Sequence, residues 1–275
     1  MAKISIITIN YNNREGLQKT IESVASQTNK TFEYIVVDGG STDGSAEIIK
    51  DNCHFIDKWV SEPDKGIYNA MNKGVQMSSG EYCLFLNSGD LLHDNNVFER
   101  LTKHTFDKDI YFGEIVATNG GKAKKRRKYS LNEEITLLTI YEGYFHHAGS
   151  FIKRDLMIKY PYREDLKICS DRQFFIQSII IDNCSYGSIK TPICLFDMGG
   201  VSRTSDILLN QENNQIMTDL FPERVFKDYQ RTNLQLQNLT KELVVYRSQM
   251  VKTICNIDYF LIKIYKLLKK ISGRV

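Results

Sequence analysis

Ser61-Glu62-Pro63-Asp64-Lys65-Gly66-Ile67-Tyr68-Asn69-Ala70-Met71-Asn72-Lys73-Gly74 is a string that no packing requirement explains. It mixes acid, base, proline, glycine and carboxamide groups where a buried element would show apolar periodicity. Before it, the apolar run Tyr34-Ile35-Val36-Val37 ends in Asp38. After it, Glu81 to Leu86 runs into Asn87-Ser88-Gly89-Asp90. A polar segment framed by two strands with acidic ends predicts a ligand site at the carboxyl edge of a parallel sheet.

Working outward, the flanking pattern alternates. Ile4 to Ile9 is β-branched and apolar on both faces, as a buried parallel strand would be, and Asn10 follows it. Arg14 to Ser26 carries Leu17, Ile21 and Val24 at helical spacing. Phe32 to Val37 reads as a second strand, and the turn Gly39-Gly40-Ser41-Thr42-Asp43-Gly44 caps a helix around Ala46 to Lys50. Ile56 to Val60 reads as a third strand, the second half of the 61–74 string as a helix, and Glu81 to Leu86 as a fourth strand. That order predicts a doubly wound α/β sheet with right-handed crossovers. Past residue 100 the pattern loosens. Strands are predicted at 110–118 and 189–196, a basic loop or hairpin tip at 120–128, and an apolar helix opening at Cys169-Ser170-Asp171. From about 206 onward the chain reads as helical.

Bulk composition bounds the class. The 275 residues are 42% hydrophobic and 25% charged, enough for one large α/β domain without staples. A net charge of +3 gives no reason to expect nucleic acid as a partner. The six cysteines form no CxxC pair and most lie in apolar runs, which predicts buried, reduced thiols of a cytoplasmic protein. The N-terminus does not read as a secretion signal, and no apolar run approaches the roughly 20 residues of a membrane span. A soluble or peripheral protein is expected.

Six motifs in order carry a family resemblance. They are the opening Ile-Ile-Thr-Ile-Asn10-Tyr-Asn, the turn Val-Val-Asp38-Gly-Gly-Ser-Thr-Asp-Gly-Ser, the 61–74 string, Phe85-Leu-Asn-Ser-Gly-Asp90, His147-Ala-Gly-Ser-Phe-Ile-Lys-Arg154, and Ser170-Asp171. Over about two thirds of its length the chain resembles the family 2 glycosyltransferases of the GT-A fold, such as those that build bacterial surface polysaccharide. The resemblance implies a doubly wound, mostly parallel sheet with an acceptor-side extension, followed here by a C-terminal helical tail. The implied domains are residues 1–205, with 1–100 as nucleotide-binding half and 101–205 as acceptor half, and a helical region 206–275. The implied activity is inverting transfer of a hexose from a nucleotide-sugar donor, expected to be UDP-linked, to a saccharide or lipid-linked saccharide.

The residue types suit that chemistry. The resemblance places Asn10 and Asp38 on the nucleoside, and a carboxylate can accept from the imide N–H of uracil. Asp90 is the implied metal ligand: a divalent cation, Mn²⁺ or Mg²⁺, offsets charge on a departing nucleoside diphosphate and needs few carboxylates. The family usually carries Asp-x-Asp-Asp where this chain has Asn87-Ser88-Gly89-Asp90. Asp64, Lys65, Asn69, Asn72 and Asn87 are candidate donor contacts. Asn69 and Asn72 share a helical face at i and i+3. His147 matches a position near the diphosphate or the acceptor, with His146 facing the other way. Asp171, an acid opening a helix after the acceptor loop, is the candidate base, with Glu164 and Asp165 as weaker alternatives.

The tail has a signature of its own. Leu236, Leu243, Met250, Ile257, Ile264 and Ile271 repeat every seven residues, the spacing of a coiled coil. Its end combines Phe260 and Tyr265 with Lys263, Lys266, Lys269 and Lys270, a composition that fits an anionic membrane surface. Homo-oligomerisation through 236–271 and peripheral contact with the inner face of the cytoplasmic membrane are both expected from these patterns. A second reading stays open: a catalytically weak nucleotide-sugar-binding or scaffold protein that acts through its coiled-coil tail.

Overall fold

Every residue of strand β1 (Ile4–Asn10) is buried, as a strand covered on both faces must be. The structure is a computed structural model that describes residues 3–119, 122–127, 134–141, 145–197, 206–236, 238–239, 241–243 and 249–250. Helix α1 (Arg14–Ala25) follows β1, and its buried Leu17, Ile21 and Val24 are the periodic residues read from the sequence. Strand β2 (Phe32–Asp38), helix α2 (Ser45–Asp51), strand β3 (Lys58–Ser61), helix α3 (Ile67–Met77) and strand β4 (Tyr82–Phe85) complete the alternating half. β3 begins two residues later than predicted. Asp57 N–H donates to the Tyr34 carbonyl, and the Asp57 carboxylate accepts from Tyr34 N–H, so pairing in register with β2 starts only at Lys58.

β1, β2, β3 and β4 are all parallel, with Asn10 opposite Asp38, Asp38 opposite Ser61, and Ile7 opposite Phe85. This register brings the polar strand ends to one edge. α3 packs closely over the sheet because residue 74 is glycine: a Cβ there would meet Ile7 Cγ2 at 2.3 Å.

The second half is a mixed sheet with more elements than the sequence showed. They are strand β5 (Leu91–Leu92), helix α4 (Val97–Leu101), strands β6 (Ile110–Asn119) and β7 (Lys122–Arg127), helix α5 (Leu137–Tyr141), strand β8 (Ser150–Lys153) and helix α6 (Arg154–Lys159). Helix α7 (Ser170–Phe175), strand β9 (Tyr186–Asp197) and helix α8 (Asp206–Leu220) follow. The strand order is β3-β2-β1-β4-β8-β6-β9-β5, with β7 paired to β6. β8 lies antiparallel between β4 and β6 and joins the two halves into one sheet. The predicted helix at 169 is interrupted, because α7 widens into a π-helical turn over Ile176–Ile181. There the Ser178 hydroxyl donates to the Phe174 carbonyl at 2.7 Å, competing with the helical ladder.

The chain divides into two compact units, residues 1–216 and 217–275. In the second, residues 223–236 are helical, Phe226 is buried, and Lys227 pairs with Glu223 at 2.6 Å, one turn away. The described heptad positions Leu236, Leu243 and Met250 are exposed. The rest of the predicted heptads and the lysine-rich end lie outside the described residues. Among those residues no helix is long and apolar enough to cross a membrane. The five described cysteines carry free thiols, three of them buried.

One buried carboxylate ties the N-terminal edge of the sheet together. Glu33 accepts from the Ser5 and Ser79 hydroxyls and Ser79 N–H, and pairs with Lys58 at 2.8 Å. Burial alone would raise its pKa, but these partners outweigh burial and push it from 4.5 down to about 2. A depressed folded-state value stabilises the fold above the unfolded pKa, and that contribution disappears as pH falls towards the folded one. Glu33→Gln is expected to cost roughly 1–3 kcal/mol at pH 7, with the gap to wild type shrinking between about pH 5 and pH 2. Urea melts at pH 7 and pH 3 check this. A gap that does not change with pH contradicts it.

Candidate functional site

The carboxyl edge of the parallel strands carries the chemistry. Asp38, at the end of β2, is completely buried. Its Oδ1 accepts from Asn10 Nδ2 at 2.8 Å and from the Ser41 hydroxyl at 2.5 Å. Its Oδ2 accepts from Ser41 N–H at 3.0 Å and the Ser61 hydroxyl at 2.7 Å. Burial raises its pKa, but the bonds from Ser41, Ser61 and Asn10 outweigh burial and hold it below the usual carboxylate range. All four lone-pair positions are thereby filled, so direct contact between Asp38 and a ligand would displace one of these donors.

The open acceptor beside it belongs to Asn10. Because a carboxylate only accepts, the bond to Asp38 fixes which end of the Asn10 amide is nitrogen. Asn10 Oδ1 is left buried without a partner. Next to it, Tyr11 is 66% exposed. A Cβ on Gly39 would meet the Tyr11 ring at 3.2 Å and Asp64 Oδ2 at 2.4 Å. Glycine at 39 thus lets an exposed aromatic ring and a carboxylate converge on the backbone just past Asp38. Asp64 also accepts from Gly66 N–H at 2.8 Å, which shapes the turn into α3. Lys65 is exposed on that turn.

The 87–90 loop is held by α1. The Thr20 hydroxyl donates to the Asp90 carbonyl at 2.8 Å and accepts from Gly89 N–H at 2.9 Å. Asn13 caps α1 through Gly16 N–H and donates to the Ser88 carbonyl at 3.0 Å. Asp90 is only 4% exposed. Its negative charge, after burial itself, raises the pKa of the Cys194 thiol in β9. Asn87 Oδ1 is buried without a partner. Among the described residues no three His, Cys, Asp or Glu side chains cluster as a metal site. One carboxylate and one unpartnered carboxamide oxygen on the same loop nevertheless fit a hard cation that keeps phosphate and water as further ligands.

Asp171, the second residue of α7, joins this loop through one imidazole. His147 Nδ1 lies 3.1 Å from Asp171 Oδ2, and His147 Nε2 lies 3.1 Å from Asn87 Nδ2. An ionised Asp171 accepts a hydrogen bond from His147 Nδ1–H, so Nε2 is left to accept from Asn87. The Phe85 ring stands edge-on to His147. Burial raises the Asp171 pKa, but the hydrogen bond from His147 and the nearby Arg172 guanidinium work against burial, and the carboxyl lies below its ordinary value. His146 stacks on Phe196 instead of joining the chain of bonds.

Two predicted donor contacts are used elsewhere. Asn72 donates to the Tyr162 carbonyl at 2.8 Å and to Glu164 at 3.1 Å, and accepts from Tyr162 N–H at 2.9 Å. Asn69 donates to Glu164 at 2.9 Å and accepts from Lys65 N–H. The i, i+3 face does act as a unit, but it clips the loop after α6 onto α3 and does not line the strand ends. Glu164 is engaged there, and Asp165 pairs with Arg163 at 2.6 Å. A cleft of about 510 Å³ opens beside Asn69, Asn72 and Glu164, and one of about 550 Å³ beside Lys3, Ser79 and Arg154. Neither is lined by Asp38, Asp90 or Asp171.

Residues 5–162 match the model of glycosyl transferase family 2, and the chain belongs to that family. An uncharacterised glycosyltransferase of Mycobacterium tuberculosis is 29% identical over 205 residues, 72% of this chain and 76% of its own. A PGL/p-HBAD biosynthesis glycosyltransferase of Mycobacterium bovis is 30% identical over 118 residues, 41% of this chain and 46% of its own. Among solved structures, S. aureus TarS 1-349 in complex with UDP-GlcNAc superposes with a TM-score of 0.59 at 20% identity, over 75% of this chain and 60% of that one. This chain thus spans less than two thirds of the TarS fragment. Glucosyl-3-phosphoglycerate synthase from Mycobacterium tuberculosis gives a TM-score of 0.53 at 14% identity over 79% of each chain. The fold is the GT-A glycosyltransferase fold.

Sequence reasoning missed Tyr11, Thr20 and Ser61. Tyr11 could have been singled out as an aromatic directly after a polar strand end. Thr20 and Ser61 give no signal, because a buried hydroxyl bonding across the fold looks like any other serine or threonine. If Asn72 is a structural clip, Asn72→Ala should lower stability by roughly 1–3 kcal/mol while changing the affinity for a nucleotide-sugar probe by less than about threefold. Thermal melts and titration calorimetry check this, and a large loss of probe binding at unchanged stability contradicts it.

Proposed function

We propose that this protein is an inverting glycosyltransferase that moves a hexose from a nucleoside diphosphate sugar, UDP-linked, to a saccharide or lipid-linked saccharide. The observation that carries the proposal is the hydrogen-bonded chain from Asp171 through His147 to Asn87. It sets a partly buried, ionised carboxylate against the loop of Asp90, at the edge where Asn10 and Asp38 also end. TarS is described in complex with UDP-GlcNAc, and a mannosyltransferase from Pyrobaculum calidifontis with GDP-Man and Mn²⁺. Both descriptions support a nucleotide-sugar donor.

In this reading Asp38 orders the pocket and Asn10 Oδ1 accepts the imide N–H of the base. Tyr11 stacks on that base, a contact suited to an exposed ring beside a backbone without a side chain at Gly39. Asp64 and Lys65 flank the nucleotide. Asp90 with Asn87 Oδ1 would hold a divalent cation, Mn²⁺ or Mg²⁺, which when bound neutralises charge on the diphosphate.

Asp171 acts on the acceptor. As the acceptor oxygen bonds to the anomeric carbon and the bond from that carbon to the diphosphate oxygen breaks, Asp171 takes the hydroxyl proton. The nucleoside diphosphate leaves with the bonding electrons. His147 keeps Asp171 ionised and aimed. The heptad-patterned, basic tail supports self-association and contact with an anionic membrane, which would hold the enzyme on the same surface as a lipid-linked acceptor.

Asp171→Asn tests the proposal. It should keep the thermal shift that UDP-sugars produce with Mn²⁺, because no donor contact is removed. Transfer should fall by about a hundredfold or more, as loss of a general base does. Near-wild-type turnover would overturn the assignment, and a screen of nucleotide sugars with no shift at all would overturn the donor class.

A further inference from the structure

The family match ends at residue 162, before Asp171. The chain that fixes Asp171 comes from still further along. Lys167, Ile168 and Cys169 lead directly into α7, and no side chain caps that helix at Cys169. Three successive backbone N–H groups there need acceptors. Glu212, in α8, supplies them. Its Oε1 accepts from Lys167 N–H at 2.6 Å, and its Oε2 from Ile168 and Cys169 N–H at 3.0 Å each.

Glu212 is only 4% exposed. A carboxylate withdrawn from water to that degree is costly unless charge-assisted bonds compensate. Its partners, three backbone N–H groups and the Cys169 thiol, all belong to one loop. The same stretch of α8 holds that loop on both sides of Asp171. Asn213 accepts from the Arg172 guanidinium, and Gln215 donates to Asp165 at 3.2 Å. Ile216, one residue further along α8, is fully buried.

We infer that Glu212 is a positioning residue for the transfer reaction: its carboxylate sets the backbone from which Asp171 projects, and α8 is thereby part of the catalytic unit. This rests on the assignment of Asp171 as the base. Asp171 has two other anchors, His147 on Oδ2 and Arg172 N–H on Oδ1 at 2.8 Å. Those fix its oxygens relative to the side chains around it, whereas Glu212 fixes the main chain two residues before it. A displacement of about 1 Å at a reacting group can cost about a hundredfold in rate. A carboxylate remote from the acceptor can therefore govern turnover without touching substrate.

The test is a double-mutant cycle on the full-length protein. Glu212→Gln keeps the shape but turns one acceptor into a donor facing N–H groups. It should lower kcat by about 10- to 100-fold, with donor KM and the donor-induced thermal shift unchanged within about twofold. In Asp171→Asn, adding Glu212→Gln should cost less than about twofold more, because its effect acts through Asp171. Asn213→Ala, which frees Arg172 alone, should show the same pattern at about 3- to 10-fold, and it serves in place of Glu212→Gln if that variant does not fold. A kcat loss that persists in the Asp171→Asn background, or an unchanged kcat in folded variants, overturns the inference. Full activity of Asp171→Asn by itself would instead overturn the base assignment.

Discussion

Asp38 is a carboxylate without access to water, and it persists there because four donors from three parts of the chain reach it. Asn10 comes from the end of β1, Ser41 from the turn after β2 and Ser61 from the end of β3. A buried charge missing any of these partners would be destabilising by several kcal/mol, so the ends of three strands and the intervening turn are coupled. That coupling makes the carboxyl edge a preorganised site. It leaves one acceptor, Asn10 Oδ1, pointing away from the cluster, and keeps Gly39 open beneath Tyr11.

The helices apply the same device to loops instead of strands. Thr20 and Asn13 of α1 bind the 87–90 loop through backbone groups. Asn69 and Asn72 of α3 bind the 162–164 loop, and Glu212 of α8 binds the 167–169 loop. In each case a helix side chain satisfies loop amides or carbonyls that would otherwise be unpaired. The 87–90 loop that ends in Asp90 and the loop that leads into the Asp171 helix are each tied to a helix in this way. His147 joins Asn87 of the first to Asp171.

How far the sequence could be read follows from what each residue does. Buried parallel strands advertise themselves, and Ile4 to Ile9 and Phe32 to Val37 lie where their apolar runs placed them. Asp38, Asp90 and Asp171 were legible as acids at element ends. The antiparallel insertion of β8 between β4 and β6 was not, because pairing partners far apart in sequence leave no local pattern. Asn69 and Asn72 were correctly seen to share a helical face. Its bonds to the 162–164 loop are tertiary contacts, which leave no local pattern. Glu212 was invisible for a related reason: a glutamate in a helix reads as a solvated acid, and only the fold shows three amides converging on it.

The account stands on one carboxylate, Asp171, acting on the acceptor while the donor lies at the strand ends. Proton removal by a single base, with direct displacement at the anomeric carbon, inverts that centre. The most direct measurement is the anomeric configuration of the product, read by proton NMR from reaction of the purified protein with its nucleotide-sugar donor. The account predicts a product of configuration opposite to the donor's. Retention of configuration would contradict it, because retention requires a second displacement, for which this reading assigns no group.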